Sequence, residues 1–560
     1  MALVDLGKGS YIDRLIEPDG LHPSTLQTVV PRFGIARYGR AKYLKGFSTG
    51  AYSAIVYKEG DSVIAEDKLG NKIAEGEAGV DDASVILNTI NLLKTTDNWE
   101  RIVFRGDFLI NTPIDIIGAN KLILEGGYFK QNANIDHIIG ISDTHADTSH
   151  NIIMRDMTVE NPNASAYHSN NIVVGNLKGG LIENVHSIGA WRHALSVLRT
   201  NPGLENAVYL PENITVRNCY FSKSSIDTKA GCILMGGRHN RIENCEIDGK
   251  GSAYSGDETG LNIYDNTFNR SYDIVVRNIY VHDVGGHGID CSVSDVLIDN
   301  PRIINAGKCG IRITPNGEQI VNNGYRIALE KNVEVRKPYI KGAKAQGIYI
   351  ADMQDVTIEN PTVEFNKYIG IVVYSKLIYD ATTLDFATAC EIRGGIVRDN
   401  CLESDSHGIA ISADDNQVHI VIDGIKVFDD QETPTQTKAM TLYGTMPIKL
   451  RVFDSLLSGD TYNFKNANTA ADTEIIMRRV EGYTTENSGT ATFSGDGSTT
   501  QFSIEHGLVS TPSKIQVTAM SSDAAGDFYV TADATYIYVN YKTAPPSGTD
   551  NVKISFYAEV

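Results

Sequence analysis

The chain has 560 residues, with 50 Lys plus Arg against 69 Asp plus Glu and a net charge of −19. That length exceeds one compact core, and 42% apolar with 21% charged residues describes a folded chain rather than a disordered one. The acidic balance argues against a nucleic-acid partner, which needs concentrated positive charge, and no stretch approaches the ~20 apolar residues of a membrane span.

The N-terminal segment MALVDLGKGSYIDRLIEPDG carries no apolar signal region, so export through an ordinary signal peptide is not expected. Residues 1–50 hold seven basic and four acidic residues and little periodicity. Two alternating strands around Leu69-Gly70-Asn71 then read as a hairpin, and residues 1–80 together as a head that attaches to a larger assembly. In 81–94, Ala83, Ile86, Leu87, Ile90 and Leu93 follow helical spacing, with Asp81 or Asp82 available as N-cap. A one-faced helix just before the first strand, at 101–110, reads as a cap over an open end of sheet.

From there a short unit recurs, as in TVRNCYF (215–221), RIENCEI (241–247) and VVRNIYV (275–281). Two alternating half-strands flank a polar pair, and the pair reads as a tight corner. Its second residue is Gly126, Asp156, Asn184, Asn218, Asn244, Asn278, Asn300, Lys337, Asn360, Gly394 and Gly424 in turn, at intervals of 22 to 37 residues. A second strand series follows the corners: GCILM (231–235), GLNIY (260–264), GIDCS (288–292), GIRIT (310–314), GIYIA (347–351), GIVVY (370–374) and GIAIS (408–412). About three short strands per unit, none able to bury its apolar face alone, predict an all-β, right-handed parallel β-helix of about a dozen turns over 81–485. Matched corner residues should stack as ladders of like side chains. The seven cysteines (Cys219, Cys232, Cys245, Cys291, Cys309, Cys390, Cys401) are too sparse for a disulfide scaffold, and we expect small buried hydrophobes. After the repeat fades near 476–482, alternating strands joined by Gly-Asp-Gly and Pro-Pro turns predict a C-terminal β-sandwich over 486–560 for trimerisation or carbohydrate binding.

This order of head, capping helix, long β-helix and C-terminal β-module resembles the bacteriophage and archaeal-virus tailspikes of the pectate-lyase-like superfamily. The resemblance implies a homotrimer in the virion tail, attached through the N-terminus, that acts outside the cell on a host surface polysaccharide.

Outward side chains on successive turns of a β-helix lie ~4.8 Å apart. Two residues after each glycine of the second series stand Ile233, Asn262, Asp290, Arg312, Tyr349, Val372 and Ala410, a row that is polar only in its middle. Just before the glycines stand Lys229, Asp257, Glu258, His287, Lys308 and Gln346. Glycoside hydrolysis needs two carboxyl groups across the scissile bond, at spacings that neighbouring turns supply. Asp290 and Glu258 are the expected catalytic pair, with Asp257 as alternate acid, while His287, Arg312, Asn262, Lys308 and Tyr349 would bind substrate. Gly286-His287-Gly288 and Arg312-Ile313 are similar to the G-H-G and R-I-K motifs of polygalacturonases. Thr314 stands in place of the Lys and the N-T-D motif is missing, so only His287 and Arg312 carry over, as substrate ligands. β-Elimination by a Lys308, Arg312, Tyr349 or His287 base, and a receptor-binding fibre without catalysis, are the alternatives. No cofactor or catalytic metal is expected; a structural Ca²⁺ near Asp405, His407, Asp414 and Asp415 is the one candidate.

Overall fold

Each repeat closes one coil of three strands. In a representative coil, Ile274–Arg277 lies in the first sheet, Tyr280–His282 in the second and Ile289–Cys291 in the third. Successive coils pair parallel and in register, with Val276 beside Ile298, Val281 beside Ile303 and Ile289 beside Ile311. The third sheet stacks 13 strands, from Ile114–Ile116 to Tyr462–Asn466, and the whole is a right-handed parallel β-helix. The computed structural model describes residues 52–560 apart from 143–147, 168, 199–209, 225–230, 252–257, 265–270, 316–330, 376–386 and 404–406. Most of the expected head, together with Lys229, Asp257 and Asp405, therefore lies outside the described residues.

The alternation of each half-strand sends one residue in two to the axis. Ile247, Val281, Ile303, Ile340, Val363, Val397 and Val427 stack on successive coils of the second sheet, each at most 1% exposed. Full burial of such side chains stabilises by roughly 1.5–3 kcal/mol each, and a coil obtains it only from its neighbours. All seven cysteines are buried thiols, as their composition predicts.

The corner between the first and second sheets turns the chain within the polar pair, which takes left-handed backbone. All eleven predicted corner residues have it, from φ 47° at Lys337 to φ 80° at Gly126. Asparagine serves because it tolerates this region and its amide can bond to the next coil. Asn278 Nδ2 donates to Asn244 Oδ1 at 3.1 Å, and Asn300 Nδ2 donates to Asn278 Oδ1 at 2.9 Å.

Immediately before each corner an outward side chain forms another row on the first sheet. It reads Glu125, Arg155, Glu183, Arg217, Glu243, Arg277, Asp299, Arg336, Glu359, Arg393, Asp423 on consecutive coils, alternating in sign without a break. Arg155 lies 2.6 Å from Glu125, Arg217 2.7 Å from Glu183, and Arg277 3.8 Å from both Glu243 and Asp299.

A helix closes the N-terminal end of the solenoid, and the last coil leads into a separate module. The helix Asp82–Leu93 buries Ala83, Val85, Ile86 and Ile90 over the first coil, while Leu87 and Leu93 pack there partly exposed. Asp81 occupies the N-cap position without a capping bond. Asp82 is instead buried, accepting from the backbone N–H of Gly79 (2.8 Å) and Leu109 (2.6 Å) and pairing with Lys58 at 2.7 Å. The segment before the helix has one hairpin more than its sequence suggests. Ala54–Glu59, Ser62–Asp67 and Lys72–Glu77 form an antiparallel meander, because Gly60 (φ 57°) turns the chain inside what reads as one strand. Ala54–Glu59 also pairs parallel with Glu100–Ile110, so the meander extends the first sheet. At the other end, Glu486–Gly495, Gly548–Glu559 and Lys514–Ala519 form one antiparallel sheet, and Gln501–Glu505, Tyr536–Tyr541 and Phe528–Ala532 another. A common core of Phe502, Ile504, Ile537, Val539, Val552, Ile554 and Phe556 makes this a small sandwich.

Candidate functional site

The third sheet begins at a corner where coils approach closely. A Cβ on Gly260, Gly288, Gly310 or Gly347 would stand 2.6–2.7 Å from the carbonyl oxygen of the next glycine in the column. Only glycine fits, and the column fixes the register of the strands that leave it. Asn262, Asp290, Arg312 and Tyr349 accordingly stand side by side on four consecutive strands, each pointing outward between buried neighbours. One coil earlier the glycine alignment slips. Cys232 takes the column position, and Leu234 rather than Ile233 lies beside Asn262.

Asp290 is only 6% exposed, and Arg312 grips it with both arms: Nε to Oδ1 at 2.8 Å and Nη2 to Oδ2 at 2.5 Å. This fork geometry is the strongest form of a carboxylate–guanidinium pair. On the side away from Arg312, Asn262 Oδ1 is buried with no hydrogen-bond partner among the described residues. Tyr349 closes the row; burial above all pushes its phenol up to about 12.

His287 lies at the corner, buried, and its Nδ1 accepts the Cys309 N–H at 3.2 Å. Its proton therefore resides on Nε2. Burial, with the positive charges of Arg312 and Lys308, pulls the imidazole down to about 3, so the ring is a neutral donor. Glu258 occupies the same corner one coil earlier. It is 3% exposed, its carbonyl accepts the Gly286 N–H at 2.9 Å, and Lys308 N–H continues this column onto Gly286 O at 2.8 Å. The structure thus brings Asn262, Asp290, Arg312 and Tyr349 into one row and sets Glu258, His287 and Lys308 along its corner edge. The charge of Glu258 acts on Lys223, whose ammonium is buried and donates to the carbonyls of Trp191 and Arg192. Burial draws that ammonium down to about 8 against the opposing pull of Cys232 and Glu258. In the second candidate patch, His407 bonds Thr441 Oγ1 (3.1 Å) and Tyr443 Oη (2.5 Å), while Asp414 accepts from Ser412 Oγ (3.2 Å).

The second sheet carries a polar row that glycine alignment does not reveal. His186, Tyr220, Glu246, Tyr280, Arg302 and Tyr339 stand beside one another on consecutive coils. Their signal is position: the last five lie two residues after Asn218, Asn244, Asn278, Asn300 and Lys337. Next to this row Tyr220 Oη donates to Asp248 Oδ2 at 2.9 Å, and Lys250 Nζ donates to Tyr220 Oη (2.7 Å) and Asp248 Oδ2 (2.5 Å). His282 bridges Glu246 (3.2 Å) and Asp283 (2.8 Å). Burial lowers the affinity of His282 for a proton, but hydrogen bonds to Glu246 and Asp283 outweigh it and hold the imidazole above its usual range. Ligand atoms of Asp248, His282 and Asp283 lie within 4.8 Å of one another, yet the Lys250 ammonium already supplies the counter-charge of Asp248.

A family model described as a right-handed β-helix region matches residues 147–324. No curated protein sequence matches the chain. Among solved structures, the tailspike protein of Escherichia coli bacteriophage HK620, in complex with a hexasaccharide, is similar at a TM-score of 0.53 and 11% identity. That match covers 88% of this chain and 91% of the other. The A-module of mannuronan C-5 epimerase AlgE4 from Azotobacter vinelandii matches at 0.47 and 12%, covering 72% and 97%. The Dettilon tailspike protein matches at 0.45 and 12%, covering 86% and 92%.

Proposed function

We propose that this chain, which shares the right-handed β-helix of phage tailspikes, binds a microbial surface polysaccharide along the third sheet and hydrolyses it. Asp290 and Glu258 would supply the two carboxyl groups, with Asp257 as the alternate acid. Asn262, His287, Lys308, Arg312 and Tyr349 would hold sugar hydroxyls and developing charge. The observation that carries the reading is the outward row Asn262–Asp290–Arg312–Tyr349, whose Asn262 Oδ1 is buried without a partner among the described residues. The hexasaccharide bound by a tailspike of the same fold supports a glycan as ligand.

Elimination is disfavoured at two of its candidate bases: His287 Nδ1 takes the Cys309 N–H, and Tyr349 stays protonated. A homotrimer held in the virion tail through residues 1–80 completes the proposal, and we assign it no metal or cofactor.

The test is product release from a panel of microbial surface polysaccharides by the native protein, Asp290→Asn and Glu258→Gln. Shortened chains that vanish in both variants support the two-carboxylate hydrolase. Products absorbing as unsaturated uronates would replace it with a lyase, and binding without shortening would leave a receptor-binding fibre.

A further inference from the structure

Most cations on the outer faces of the coils are already spoken for. Arg277, Arg312 and Arg398 each face carboxylates within ion-pair distance, and Lys250 and Lys341 reach Asp248 and Glu364. Arg302 differs. It is exposed, in the middle of the second-sheet row, and has no carboxylate within ion-pair distance among the described residues. Its guanidinium lies instead over two rings, 5.8 Å from the centroid of Tyr280 on the preceding coil and 5.0 Å from that of Tyr339 on the following one.

Two aromatic faces fix a guanidinium in position and leave its edge of N–H donors open. The rings are themselves held: Tyr280 stacks on His282 at 4.6 Å, and Tyr339 Oη donates to Glu364 at 2.7 Å. No hydrogen bond of the Tyr280 hydroxyl to a described residue is present, so a second donor stands beside the fork. A preorganised fork with an adjacent phenol matches a planar carboxylate, which takes two parallel N–H bonds. Of the nearby acids, Asp248 is paired with Lys250 and Glu364 with Lys341 and Arg398, while Glu246 and Asp283 both bond to His282. Arg302 is open to an incoming anion.

We infer that Arg302, clamped between Tyr280 and Tyr339, is the carboxylate-binding centre of a second glycan site, on the second sheet, specific for a uronate residue of an acidic polysaccharide. The site is separate from the Asp290 row and stands or falls independently of hydrolysis there.

Titration calorimetry of the full chain with an oligogalacturonate hexamer, and with the same oligomer after reduction of its carboxyls to alcohols, tests the inference. The native protein should bind the uronate form and lose it on reduction. Arg302→Gln should weaken uronate binding about 10- to 100-fold, the effect of one charge-assisted fork. Arg302→Lys should fall between, since it keeps the charge and loses the fork, and Lys426→Gln, which removes an exposed cation further along the same sheet, should bind as the native protein does. Equal binding of both oligomers, binding of neither, or an Arg302→Gln variant of native affinity would overturn the assignment. Loss of binding in Lys426→Gln would do so as well, by showing that any cation of the sheet serves.

Discussion

Replacing Asp82 by alanine should loosen one end of the solenoid and nothing else. The Asp82 carboxylate is fully buried, 2.7 Å from Lys58 Nζ and bonded to the N–H groups of Gly79 and Leu109, so it ties the capping helix to the meander and the first coil. Breaking a buried pair from one side costs about 3–5 kcal/mol. Lys58 is 23% exposed and can rehydrate, which puts the figure near the lower bound, about 3 kcal/mol. Each 1.4 kcal/mol is a factor of ten, so the helix should open about a hundredfold more often. Native-state hydrogen exchange reads this amide by amide: faster exchange over Asp82–Leu93 and at Leu109, with Lys438–Gly444 and Ile448–Phe453 unchanged, because coils contact only their neighbours. Asp82→Asn keeps one acceptor and should recover part of the protection. Exchange that accelerates evenly along the chain, or not at all in the helix, would refute the reasoning.

Arg312→Lys should cut depolymerisation by about 10- to 100-fold, because an ammonium cannot hold both oxygens of Asp290; a variant of native rate would remove Arg312 from the site. Buried histidines should make the protein lose stability as pH falls below their unfolded value. His193 and His287 are both drawn down to about 3 by burial, so their stabilisation is complete above the unfolded value near 6.5 and drains as pH falls towards 3. Each contributes about 1.4 kcal/mol per pH unit in that window, and His287→Gln should make the fall of thermal stability between pH 6.5 and 4.5 shallower. His282, with its raised affinity, runs the other way: its contribution is present below 6.5 and is lost as pH climbs through its folded value. At the left-handed corner, Asn278→Ala should unfold faster in guanidinium than Asn278→Gly. Both lose the ladder bonds, but only alanine adds the ~1 kcal/mol strain of φ 49°.

Corners are legible because their chemistry is local. Asn, Asp and Gly are the residues that accept left-handed backbone, and a repeat multiplies the signal until chance is excluded. The outward row from Asn262 to Tyr349 is legible for a related reason: Gly260, Gly288, Gly310 and Gly347 are required where coils nearly touch, so they mark register. Where contact is satisfied by another small residue, as at Cys232, the same alignment slips by one and misplaces Ile233. The turn at Gly60 is harder to see, because apolar residues resume soon after it at Val63 and Ile64. Burial is the least legible property of the site. Glu258 and His287 belong to irregular corner segments whose facing depends on the path of the loop, which no period describes. The row around Arg302 is accessible in principle, but from the asparagine frame rather than the glycine frame.

The charged row on the first sheet bears on how long such a molecule can be. Its rungs run E, R, E, R, E, R, D, R, E, R, D, and each rung is favourable only because the next has the opposite sign. A chain that skips one coil while folding, or a gene that gains or loses one, sets like charges against each other at the junction. Deleting 278–299, for example, would seat Arg277 beside Arg336. Skipping two coils restores the order. The row therefore acts as a parity check on the stack: single-coil errors are marked by repulsion where they occur, whereas lengthening or shortening by pairs passes unopposed, and the molecule's length should change most easily in steps of two.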